Sequence, residues 1–159
     1  MVACVAAGLV SVYANTAAMT RPALVFHQSI GALILALAIA RVAWRVIHPA
    51  PPLPAAMPPS HRIAAAATHA VLYISLLAFP VTGYISLAAR GRNINMFGLF
   101  DLPLVVPRSL SLSADARNLH DFAQYALYAL LALHIGAALY HQFVLKDGLL
   151  RRMWWRIAP

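Results

Sequence analysis

The sequence predicts an all-α protein, an integral membrane four-helix bundle with up-down connectivity. Its 159 residues are 62% hydrophobic and only 10% charged, whereas a soluble domain carries about 25% charged residues. The apolar residues fall into four segments separated by polar or proline-rich connections, and a membrane-spanning helix needs about 20 such residues. We therefore expect one transmembrane domain over residues 1–159, with helices at about 2–19, 23–47, 63–89 and 120–145.

The segments and their connections justify these elements in order. The first segment is short, begins at Met1 and lacks the charged leader and clear cleavage site of a signal peptide, so we expect a helix that is truncated at its N-terminus. Residues 48–61 hold six of the eleven prolines, which predicts an extended linker. Residues 90–117 contain many turn formers and form a long loop. The apolar stretch "LFDLPLVV" in this loop is expected to lie on the membrane surface or to cap the bundle.

The net charge of +8 does not indicate nucleic-acid binding, because the cations lie between the apolar segments, where they would flank membrane helices. Seven cations fall on one side of the predicted bundle and five on the other. This bias predicts that the proline-rich linker and both termini are cytoplasmic. The C-terminal arginines with Trp154 and Trp155 are typical of an anchor in membrane lipid. The single Cys4 excludes an internal disulfide and a cysteine-rich metal site.

Ionisable residues inside a membrane span usually mark function, and the fourth segment carries His120 and His134. Their separation of 14 residues places them on one helix face, about 40° apart around the axis and about 21 Å apart along it. His27, near the start of the second helix, is expected at the depth of His120. His69, near the start of the third, is expected nearer the depth of His134, with His141 closer still to the inner surface.

Imidazoles that face each other across a helix bundle suit haem iron, which accepts two axial histidines. Zinc fits less well, because it needs four ligands and the outer layer offers two. Hydrogen bonding to a neighbouring helix is the alternative interpretation for each of these histidines.

Three segments resemble the bacterial cytochrome b561 family of four-helix, di-haem membrane cytochromes. They are "RPALVFHQSIGALILALAIARVAWRVIHPAPP", "THAVLYISLLAFPVTGYISLAARG" and "LHDFAQYALYALLALHIGAALYHQFVLKDGLLRRM". The resemblance implies two non-covalently bound b haems, each held by two histidines, and electron exchange with quinone in the bacterial inner membrane. Some members oxidise superoxide at the periplasmic side and pass the electron to ubiquinone.

By motif position, the resemblance implies that His27 and His120 are the axial iron ligands of the outer haem and that His134 is one ligand of the inner haem. His69 matches a third-helix histidine that lies close to the haems, without an implied ligand role. The family's other inner ligand is a histidine near the start of the first helix, but no histidine precedes His27 here. We expect that the natural start lies upstream. This chain then binds one or two haems, or His69 substitutes at the inner site.

The resemblance implies a haem b electron carrier between a periplasmic-side donor, with superoxide as one candidate, and the quinone pool. Such a protein is at minimum an electron carrier and at most a superoxide:quinone oxidoreductase. The loop arginines either attract an anionic donor or are ordinary interfacial residues; they are Arg90, Arg92, Arg108 and Arg117. An alternative is a haem-bearing membrane anchor for a partner dehydrogenase or hydrogenase, and a third possibility is a proton-coupled transporter.

Overall fold

The computed structural model describes residues 1–49 and 58–148. Most of the proline-rich linker lies outside the described residues, as do the C-terminal arginines and the two tryptophans predicted to anchor the tail. The described elements are α1 (Val2–Tyr13), α2 (Ala17–Ile47), α3 (Pro59–Ala88), β1 (Asn95–Met96), β2 (Phe100–Asp101) and α4 (Leu110–Tyr140), which continues into a π-helical turn (His141–Leu145).

The four helices pack in chain order, α1 on α2, α2 on α3 and α3 on α4. The predicted all-α, up-down bundle is therefore confirmed. Its interior is built from small side chains: Ser29 and Ser113 are fully buried and Ala38 is nearly so. Large apolar side chains point outward instead, with Phe122 79% and Leu133 71% exposed. This inversion is expected in lipid, where small residues allow helices to approach closely and large ones contact acyl chains.

Three helices in the described ranges are long and apolar enough to cross a membrane: α2, α3 and the continuous helical segment Leu110–Leu145. The first helix has 12 residues, or about 18 Å, which is less than the ~30 Å hydrocarbon core of a bilayer. The chain is therefore a membrane protein with three long spans and one short apolar helix packed beside the second.

Two helices begin well before their predicted starts. Helix α2 begins at Ala17 rather than near residue 23 and continues through Pro22 in its second turn, where the proline removes one backbone hydrogen bond. Helix α4 begins at Leu110 rather than near residue 120, and the Ser109 side chain caps it by accepting a hydrogen bond from the Leu112 amide at 3.2 Å. As a result, His120 lies nearly three turns inside α4 rather than at its start.

The loop between α3 and α4, termed the outer loop after its predicted side, contains a two-stranded antiparallel hairpin in which Asn95 pairs with Asp101. The hairpin is fixed to α2 by the fully buried Ser29. The Ser29 hydroxyl donates to the Asn95 carbonyl at 3.1 Å and accepts from the Phe97 amide at 2.9 Å. The loop is therefore held against the bundle rather than hanging free in solvent.

Candidate functional site

A cavity of about 650 Å³ opens between the helices at the end of the bundle that carries the outer loop. Its volume lies in the range of roughly 300–1,000 Å³ that is typical of cofactor sites. His27 from α2 and His120 from α4 both line it. The loop covers it, since Pro103 is among the lining residues and its carbonyl accepts a 2.6 Å hydrogen bond from the Tyr84 hydroxyl. The "LFDLPLVV" stretch therefore contributes a cap to the bundle.

The two outer imidazoles meet inside this cavity. The ring centroids of His27 and His120 are 6.1 Å apart and their planes stand at 89°. One metal ion bound by both imidazoles would separate their ring centres by about 6.3 Å at most, from metal–nitrogen bonds of about 2.0–2.1 Å and about 1.1 Å from each nitrogen to its ring centre. The observed spacing is therefore compatible with one metal ion held by His27 and His120.

Hydrogen bonding fixes the tautomer of His120. Its Nδ1 lies 3.1 Å from the Phe79 carbonyl oxygen and 3.1 Å from the Thr82 hydroxyl oxygen. The Thr82 hydroxyl itself donates to the same Phe79 carbonyl at 2.9 Å. A carbonyl oxygen only accepts, so the proton of the imidazole resides on Nδ1. Nε2 therefore carries the lone pair that binds a metal.

His27 has the same arrangement on the other side of the cavity. Its Nδ1 donates to the Cys4 carbonyl at 2.8 Å, and the Cys4 thiol donates to the His27 carbonyl at 3.6 Å. Within residues 1–49 and 58–148, neither His27 nor His120 makes a hydrogen bond through Nε2. Each ring is thus held by one nitrogen and leaves the other available for a ligand bond, as metal-binding histidines do.

Glycines make room for both rings. A Cβ atom at Gly8 would lie 2.9 Å from Nδ1 of His27, and one at Gly83 would lie 3.3 Å from Cε1 of His120. Each imidazole therefore packs directly against helix backbone, where any larger residue would push on it. The spacing, the tautomers and this cradle fit a haem with two axial histidines.

A second pair of histidines lies further along the bundle. The rings of His69 on α3 and His134 on α4 are 5.7 Å apart between centroids, with planes at 72°. His69 is exposed and His134 is half-buried. His141 is engaged elsewhere, because its Nδ1 pairs with the Asp147 carboxylate. The structure thus brings His69 and His134 together, as their predicted depths suggested. His141 is not part of this pair and contacts Asp147 instead.

The described residues contain no group of three or more His, Cys, Asp or Glu side chains that could enclose a bare metal ion. The four histidines on facing helices occur as pairs, which is the number that the axial positions of one haem require. His48 is separate from both pairs; it stacks on Trp44 with centroids 3.8 Å apart.

Several residues of the outer site were not identified from the sequence. The sequence pattern assigns no role toward the histidines to Cys4, Gly8 or Gly83. Thr82 lies in "AFPVTGY" between the cavity-lining residues Pro80 and Gly83. A hydroxyl in an apolar span is a signal, but its partner His120 lies 38 residues away and only the packing of α3 on α4 reveals it.

Comparison with known proteins identifies the family. The family model described as prokaryotic cytochrome b561 matches residues 1–156. Cytochrome b561 homolog 2 of Escherichia coli is 39% identical over 128 residues, covering 80% of this chain and 68% of its own length. Cytochrome b561 homolog 1 of Escherichia coli and the probable superoxide oxidase CybB of Yersinia pestis are each 32% identical over 127 residues, covering 80% of this chain and 72% of their own. The chain therefore belongs to the prokaryotic cytochrome b561 family of membrane electron-transfer proteins, which carry haem b.

Proposed function

We propose that this protein carries single electrons through a haem b held axially by His27 and His120. The observation that supports this assignment is the 6.1 Å spacing of two imidazoles whose Nδ1–H groups are both committed to backbone carbonyls. When bound, haem supplies a one-electron iron couple. Because two histidines fill both axial positions, the site favours electron transfer over oxygen binding.

The chain's own residues orient the site and keep it dry. The Cys4 carbonyl of α1 accepts a hydrogen bond from Nδ1 of His27, and the Phe79 carbonyl of α3 accepts one from Nδ1 of His120. Apolar side chains, including Leu76 and Leu127, form much of the cavity wall. A water-poor environment of this kind reduces the reorganisation that accompanies electron transfer, and its hydrogen bonds set the potential.

We further propose that His134 is an axial ligand of a second haem and that His69 lies against this haem. The ring contact between His69 and His134 supports this proposal. The 14-residue step from His120 to His134 along α4 corresponds to about 21 Å. Two sites at this separation would divide electron transfer across the bilayer into short steps.

For the donor we propose superoxide, and for the acceptor a quinone such as ubiquinone, in the bacterial inner membrane with both termini cytoplasmic. A relative from Yersinia pestis is named a probable superoxide oxidase. Arg92 and Arg117 line the same cavity as His120, and Arg117 is paired with Asp121. Two superoxide anions would each lose one electron to become dioxygen, and the two electrons with two protons would reduce one quinone to quinol.

The decisive experiment combines a reduced-minus-oxidised spectrum and a haem-to-protein ratio with an assay of superoxide-dependent ubiquinone reduction. We expect His120→Ala to remove the low-spin spectrum of the outer haem and to abolish quinone reduction. His48→Ala serves as the control, because His48 stacks on Trp44 away from the cavity. An unaltered spectrum in His120→Ala would overturn the assignment, and normal spectra without superoxide-dependent activity would overturn the donor alone.

A further inference from the structure

We propose that Thr82 is a positioning residue that sets the redox potential of the outer haem through the imidazole of His120. This inference rests on the proposed haem site. Thr82 lies on α3, beside the glycine against which the His120 ring packs. Among the residues that the structure describes, Thr82 provides the one side chain that hydrogen-bonds His120.

The directions of the hydrogen bonds follow from the acceptors. The Thr82 hydroxyl proton is committed to the Phe79 carbonyl at 2.9 Å, so the hydroxyl oxygen faces His120 with its lone pairs. The His120 Nδ1–H is therefore shared between two oxygens, each 3.1 Å away. Phe79, Thr82 and His120 form a closed triangle in which every proton has an assigned acceptor.

The opposite ligand has fewer oxygen acceptors. His27 donates to the single carbonyl of Cys4 at 2.8 Å, and the nearest side-chain acceptor is the Cys4 sulfur at 3.6 Å. Sulfur is a weak acceptor compared with a hydroxyl oxygen. The two proposed ligands therefore differ: the imidazole of His120 has two oxygen acceptors, and Thr82 provides the second one.

Acceptors on Nδ1–H increase the electron density at Nε2 and make the imidazole a more basic ligand. A more basic ligand stabilises ferric relative to ferrous iron and lowers the potential of the couple. Removing the Thr82 oxygen should therefore raise the potential. Valine has nearly the shape of threonine without its oxygen, so Thr82→Val removes the acceptor with little change in packing.

The test compares Thr82→Val, Thr82→Ser and Thr68→Val in the full chain loaded with haem. Thr68 lies on the same helix, so its valine variant controls for a hydroxyl lost elsewhere on α3. Optical redox titration should show that Thr82→Val changes the oxidised-to-reduced ratio of the outer haem by up to about tenfold, an upward shift of about 59 mV for a one-electron couple. Haem affinity should fall about tenfold. Thr82→Ser and Thr68→Val should retain the unaltered potential.

Two results would overturn the inference: an unchanged potential in Thr82→Val, or an equal shift in Thr82→Ser, which would show that packing and not the hydroxyl matters. If Thr82→Val fails to fold, Thr82→Ala provides the same comparison with a smaller side chain. A failure of the haem site itself is recognised separately, because His120→Ala would then leave the spectrum unchanged.

Discussion

The imidazole of His27 meets that of His120 at 6.1 Å between centroids, although the two residues lie on α2 and α4, which are not consecutive helices. Each ring is held from behind by the helix that precedes its own. The Cys4 carbonyl of α1 accepts from His27, and the Phe79 carbonyl of α3 accepts from His120. In this pair, α2 and α4 therefore provide the imidazoles, and α1 and α3 orient them.

This division predicts that removing either outer histidine leaves the other one oriented. In His27→Ala we expect the outer haem to be bound by His120 alone, with weakened affinity and a high-spin signal in electron paramagnetic resonance, because one axial position is open. His61→Ala, at the first turn of α3, should leave the spectrum unaltered. Retention of the full low-spin signal in His27→Ala would contradict the pairing.

A second prediction concerns the pair on α3 and α4. The 5.7 Å spacing of His69 and His134 is close to the ~6.3 Å separation of two trans imidazoles on one metal ion. We expect the haem-to-protein ratio to fall by about one haem per chain in His134→Ala, and to fall similarly in His69→Ala if its imidazole is the opposite ligand. An unchanged ratio in His134→Ala would show that this chain holds no haem there.

The sequence was sufficient for the architecture because membrane spans follow from hydropathy. Periodicity along one helix also placed His120 and His134 on one face. The sequence did not predict the helix starts: α2 begins before residue 23, and the turn formers of residues 90–117 suggested a loop where Ser109 caps the start of a helix. Contacts between helices, such as Thr82 with His120, depend on rotation and depth that no single segment encodes.

The glycines that pack against the rings of His27 and His120 give a further prediction. A Cβ at Gly8 would lie 2.9 Å from His27, and one at Gly83 would lie 3.3 Å from His120, whereas Gly31 and Gly136 have nothing within 4 Å. Gly31 lines the haem cavity, whereas Gly136 is not among its lining residues, so Gly136→Ala is the control and should be neutral or stabilise its helix by up to about 1 kcal/mol.

We expect Gly8→Ala to weaken haem binding more than Gly83→Ala, because its contact is closer and the ring must move. Haem titration followed by the Soret band measures the difference. Equal affinities in Gly8→Ala and Gly136→Ala would show that the His27 ring does not need the space.

Electrostatic attraction of an anionic donor predicts a salt-dependent rate. Because Arg117 is paired with Asp121, Arg92 is the cavity-lining cation whose removal should matter most. The rate of superoxide-dependent quinone reduction should fall as ionic strength rises, and Arg92→Gln should lower it several-fold and flatten its salt dependence. Arg41→Gln is the control, because Arg41 lies on α2 about four turns from His27. A rate independent of salt would remove the electrostatic role.

The last prediction tests whether the outer loop is held by Ser29. This fully buried hydroxyl bridges the Asn95 carbonyl and the Phe97 amide, so Ser29→Ala leaves two backbone groups without their partner. We expect the free energy of local opening of the hairpin to fall by about 1–3 kcal/mol, while the helix bundle stays folded. Ser11→Ala is a matched control, because that hydroxyl donates only to Gly8 within its own helix. Hydrogen exchange at Phe97 should accelerate in Ser29→Ala alone; equal protection in both variants would show that Tyr84 and the hairpin suffice to hold the loop.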